Sequence, residues 1–72
     1  MIYRFRAKLT PDQLLEYYQG HVKSLLVLTE QRLKLQIDLV HFKPFFSYQG
    51  LDGYFELTTS DSGQFLQLKK IN

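Results

Sequence analysis

The sequence predicts a small α+β domain of about five mostly antiparallel strands, curled into a barrel or half-barrel. One capped helix follows the first strand and a one-turn helix precedes the last hairpin. Three observations predict it. Tyr3, Phe5, Ala7 and Leu9 alternate without a break with Arg4, Arg6 and Lys8, the period-two pattern of a half-buried strand. Thr10-Pro11-Asp12-Gln13 is a full helix-start signal. Ser60-Asp61-Ser62-Gly63 separates two further alternating runs, which reads as a hairpin.

The first strand spans residues 2–9, with Arg4, Arg6 and Lys8 as a cationic outer row. In the helix, residues 11–19, Thr10 and Gln13 satisfy each other's backbone donors, and Leu9 and Leu14 are placed as a hydrophobic staple. Gly20 supplies the left-handed residue that ends it. His21 to Thr29 holds Val22 and then Leu25-Leu26-Val27-Leu28, apolar on both faces, so a central strand is expected. A tight connection through Arg32 leads to Leu33, Leu35 and Ile37, alternating with Lys34 and Gln36. Asp38 can cap one turn over residues 39–42, and Pro44 should stop it. Residues 45–53 read as irregular, with Gly50 and Gly53 in a turn that includes a close backbone approach. The hairpin follows: residues 54–58, then 64–69 with Leu66 and Leu68 inward and Phe65 outward.

At 72 residues the chain reads as one domain, residues 1–72. A chain this short buries only about 60% of the surface it exposes when unfolded, so self-association is useful to it. It contains no cysteine, which excludes disulfides and thiol chemistry and suits a reducing compartment. No apolar run approaches the roughly 20 residues of a membrane span, and Arg4, Arg6 and Lys8 occupy the place of a secretion signal's apolar stretch. A net charge of +2 is compatible with an anionic partner without demanding one.

Chemistry-bearing constellations are sparse. His21 and His41 have no second His at ligand spacing, so no metal site is expected. The acids, Asp38, Asp52 and Glu56 among them, read as solvated or capping, and no serine sits in a nucleophile turn. Gly50-Leu51-Asp52-Gly53 lacks the Lys-Ser/Thr and helix of a phosphate loop. Thr58-x-Ser60-x-x-Gly63 is one substitution from half of a PilZ-type cyclic-dinucleotide motif, but the paired arginines of the other half are missing. The expectation is therefore no enzymatic activity, no catalytic residue and no cofactor.

Two surfaces remain. Phe42, Pro44, Phe45 and Phe46 form the densest apolar cluster, either filling the end of the sheet or forming an exposed patch for a partner. Arg4, Arg6 and Lys8, joined by Arg32 and Lys34 if the first and third strands share a face, lie with Tyr54 and Phe65 on a candidate partner or nucleic-acid face. Cations beside flat rings hold single-stranded nucleic acid, although such a row is also an ordinary solvated face.

Tyr17-Tyr18-Gln19-Gly20, together with Lys43-Pro44-Phe45 followed by Gly50, Gly53, Phe55 and Leu57, resembles a family of short bacterial proteins about seventy residues long. That family is classed as a domain of unknown function. The resemblance implies a bacterial cytoplasmic protein and carries over no catalytic residue. The leading expectation is a protein-interaction or adaptor module that binds a protein partner or itself. The alternative is weak, sequence-tolerant binding of single-stranded nucleic acid.

Overall fold

Strand β1, Ile2–Leu9, runs straight into helix α1, Pro11–Tyr18, in the computed structural model, which describes residues 1–72. The helix begins as its signal dictates. The Gln13 N–H donates to Thr10 Oγ1 at 3.2 Å, and the Thr10 N–H donates to Gln13 Oε1 at 2.8 Å. It ends where Gly20 takes φ +82° and its N–H donates to Tyr17 O, while the His21 N–H reaches back to Glu16 O. Leu9 and Leu14, the two halves of the staple, are both buried.

β2, Ser24–Leu28, pairs antiparallel with β3, Lys34–Asp38. A 3-10 helix, Leu39–Phe45, leads to β4, Leu51–Thr59, which forms the final hairpin with β5, Phe65–Lys70. The strands form two antiparallel sheets, β1-β4-β5 and β2-β3, joined by a single bridge between Phe5 and Thr29. Running across that bridge, the strand order is β3-β2-β1-β4-β5. No pairing joins β3 to β5, so the sheet curls without closing into a barrel.

The core lies between the two sheets. Phe5, Phe42 and Phe55 are essentially fully buried. Phe55 stacks on Phe5 at 6.2 Å and meets Phe42 and Phe45 edge-on, both at 5.3 Å between centroids. The α1 face adds Leu14, the hairpin adds Val27 and Ile37, and the 3-10 helix adds Leu39.

Four expectations are corrected. β4 is the middle strand of the three-stranded sheet, whereas β2 lies in the two-stranded one and leaves its second apolar face open: Leu26 is 63% and Leu28 57% exposed. The turn after Asp38 continues through Pro44 to Phe45, because a 3-10 helix needs few intrahelical bonds and a proline can sit within one; Asp38 gives it no side-chain cap. β4 starts at Leu51 and contains Gly53, which sits opposite Ala7. A β-carbon there would lie 2.7 Å from Lys70 Cε, so the close approach is present, but within a strand and not in a turn. Finally, β5 carries an irregularity: Thr58 pairs with Gln67 but Thr59 with Phe65, leaving Leu66 as an extra residue. The bulge reverses the alternation, so Phe65 turns to the inner side and Leu66 outward.

Candidate functional site: two outer faces

The outer face of β1 and β4 assembles part of the sequence-predicted cationic set. Antiparallel register sets Arg4 opposite Glu56, Arg6 opposite Tyr54 and Lys8 opposite Asp52, so all six project from one side of the sheet. Lys69 of β5 lies beyond Glu56 on the same side. Arg4 Nε donates to Glu56 Oε2 at 3.0 Å, and an Arg6 guanidinium nitrogen donates to Asp52 Oδ1 at 2.9 Å. The Tyr54 hydroxyl donates to the carboxylate of Glu30, which arrives from the β2–β3 turn. That hydrogen bond, with desolvation and the Glu30 charge behind it and Arg4 opposing, raises the Tyr54 phenol above its ordinary value. The face is therefore a lattice of opposite charges around one ring, and the field of its arginines is largely spent inside the molecule.

Other members of the predicted set lie elsewhere. Arg32 and Lys34 belong to the turn and strand of the second sheet, where β3 pairs with β2 and not with β1. Phe65 is 39% exposed and stacks on His41, rings 3.8 Å apart and 9° from parallel, on the inner side. Tyr54 and Phe65 thus face opposite ways, and the second stacking ring of the candidate nucleic-acid face is absent from it. The apolar cluster is divided too. Phe42 is core, Phe45 and Phe46 are half-buried and Pro44 is exposed. Phe46 is held edge-on by Tyr17 and Tyr18, with centroids at 5.7 and 6.3 Å. These rings mainly fill space beneath the 3-10 helix and α1.

The surface that sequence reasoning missed lies on β2. Leu26 and Leu28 face outward opposite Gln36 and Lys34. Beside them an open groove of about 350 Å³ runs between α1 and β2, floored by Leu9, Leu25 and Leu39 and rimmed by Val22 and Leu26. Gln13 and Glu16 form its polar wall on the helix. The signal was present, because a strand apolar on both faces must either be central or leave one face uncovered.

No three His, Asp or Glu side chains converge as metal ligands would. His21 Nδ1 meets only Glu16 Oε2, at 2.9 Å across an exposed surface. No helix is long and apolar enough to cross a membrane.

Comparison with known proteins adds a family. A family model described as a protein of unknown function (DUF2835) matches residues 1–71. No curated protein and no solved structure matches the chain. The chain belongs to the DUF2835 family.

Proposed function

From membership of a family with no assigned activity, we propose that this chain is a non-enzymatic protein-interaction module whose partner docks on the α1–β2 groove. One observation carries the reading: Leu26 and Leu28 stand exposed on a strand beside an open apolar groove, while both arginines of the opposite sheet are already paired with carboxylates. An aliphatic or aromatic anchor entering that groove would cover apolar surface at about 25 cal/mol per Å², and its flanks would meet Gln13 and Glu16. A chain without cysteine suits the reducing conditions of the cytoplasm.

Affinity capture from lysate with the wild-type chain, alongside Leu26→Gln and Val22→Ser variants, tests the reading. A partner retained by the wild type and lost by both variants, with the fold intact by circular dichroism, is the expected result. Capture that ignores both substitutions removes the groove from consideration.

The second reading, single-stranded nucleic-acid binding, is favoured by Arg4, Arg6, Lys8 and Lys69 sharing a face with Tyr54. It is weakened by the carboxylates of Glu56 and Asp52 on that face. Titration of labelled single-stranded RNA and DNA at low salt separates the two readings. Binding that falls steeply as salt rises would favour this one.

A further inference from the structure

β3 has a strand neighbour on one side and an open edge on the other. The parity of the hairpin bonds fixes which backbone groups face that edge. The Thr29 N–H donates to Leu33 O and the Leu39 N–H donates to Lys23 O, both at 2.9 Å. Bonded rungs in an antiparallel pair recur every second residue, so within the hairpin they fall on the odd-numbered positions. The backbone groups of Lys34 and Gln36, and the N–H of Asp38, therefore point away from β2. Lys34 and Asp38 are exposed, and neither takes part in the ion pairs of the molecule, which join Arg4 to Glu56, Arg6 to Asp52 and His21 to Glu16. A cleft of about 200 Å³ separates Gln36 and Asp38 from Gly63 and Phe65 across the open seam.

We propose that this edge pairs with the same edge of a second copy, antiparallel about a two-fold axis through Gln36. The sequence Lys34-Leu35-Gln36-Ile37-Asp38 is self-complementary in that register. Each Lys34 lies opposite Asp38 of the second copy, each Leu35 opposite Ile37, and Gln36 opposite itself. Charge and backbone parity agree, because the positions brought together by opposite charge are those whose N–H groups face outward. A slip of one residue sets Lys34 against Ile37 and mismatches the bonding groups. The other free edge offers no such match: β5 reads Phe-Leu-Gln-Leu-Lys-Lys, with two lysines and no acid, which guards an edge against pairing. The resulting interface is isologous and extends each hairpin into a four-stranded sheet. The α1–β2 groove lies on the far side of β2 and stays open, so the dimer stands or falls independently of the protein-interaction reading.

Sedimentation equilibrium of the full chain over a wide concentration range tests the pairing through charge reversal. Lys34→Glu sets two acids opposite each other and Asp38→Lys sets two lysines opposite each other, so each variant alone should dimerise roughly tenfold or more weakly than the wild type. Mixed in equal amounts, the two variants restore both opposite-charge pairs, and the mixture should recover the dimer. Both side chains are exposed and Asp38 caps nothing, so circular dichroism should be unchanged. A wild type that sediments as a single chain up to millimolar concentration overturns the proposal. So do single variants that dimerise like the wild type, and so does a mixture no stronger than its components.

Discussion

On the outer face of β1 and β4, Arg4 meets Glu56 and Arg6 meets Asp52; on the outer face of β2 and β3, Leu26 lies opposite Gln36 and Leu28 opposite Lys34, and no opposite charges meet. Both regions are antiparallel pairs, and both send their inner halves into one core. They differ only in how the outward half is finished. A face whose charges are matched across the strands has little left to offer a ligand. A face that leaves leucines and single charges uncovered keeps both for something outside the chain. In so small a protein the interaction surface is thus marked by what the fold leaves unpaired, more than by the density of charge or rings in the sequence.

The largest test of this contrast concerns the sheet that holds the core. Phe55 sits on central β4, fully buried among Phe5, Phe42 and Phe45. Phe55→Ala should cost about 3–5 kcal/mol in urea denaturation, enough to leave a short chain mostly unfolded. A loss below about 1 kcal/mol would mean that the hairpin, and not the three-stranded sheet, anchors the fold. Next comes the turn that launches β4. Gly50 has φ +106°, and a β-carbon there would sit 2.1 Å from Leu9 O. Gly50→Ala combines backbone strain of about 1–3 kcal/mol with that clash, and thermal melting should record the loss.

The two outer faces should respond far less in stability. Arg4→Gln removes an exposed pair and should cost no more than about 1 kcal/mol. Leu26→Gln should change stability by less than about 0.5 kcal/mol. If Leu26→Gln proves the costlier of the two by more than that margin, the leucine face belongs to the fold and not to a partner.

The smallest effect is one of pH. The raised Tyr54 phenol has a higher value folded than unfolded, so its contribution is complete below the unfolded tyrosine value of about 10 and is lost as pH rises through the folded value. Glu30→Ala removes the largest cause, the hydrogen bond, together with the Glu30 charge, and ultraviolet titration should then show Tyr54 ionising closer to an ordinary tyrosine.

Much of this architecture was legible. Strict alternation located β1, and the reciprocal Thr10–Gln13 signal located α1, because both are written in adjacent residues. What was not legible depended on residues distant in sequence. The close approach at Gly53 reads as part of a turn until β4 and Lys70 of β5 are placed around it. The outward assignment of Phe65 assumes an unbroken period of two, and one extra residue at Leu66 reverses it. The double-sided apolarity of β2 is a property of burial, yet the chain has no further strand to cover its second face. For the candidate site, the row Arg4, Arg6 and Lys8 was visible, but the carboxylates that neutralise much of it arrive from β4, more than forty residues away in sequence.

That long reach has a kinetic consequence. The hairpins β2–β3 and β4–β5 each close through a few residues and can form within microseconds of collapse. β1 pairs with β4 from Ile2 opposite Thr58 to Leu9 opposite Leu51, and so must wait until everything between them has been gathered in. Until then β4 is an uncovered apolar edge, and the strand it awaits carries three cations on alternate positions. Those like charges repel other copies of β1 and discourage it from aggregating with its own kind during the wait. On β4 they find Glu56 and Asp52 in register, so the row that looks like a binding stripe in the finished protein also steers the slowest pairing event of its folding.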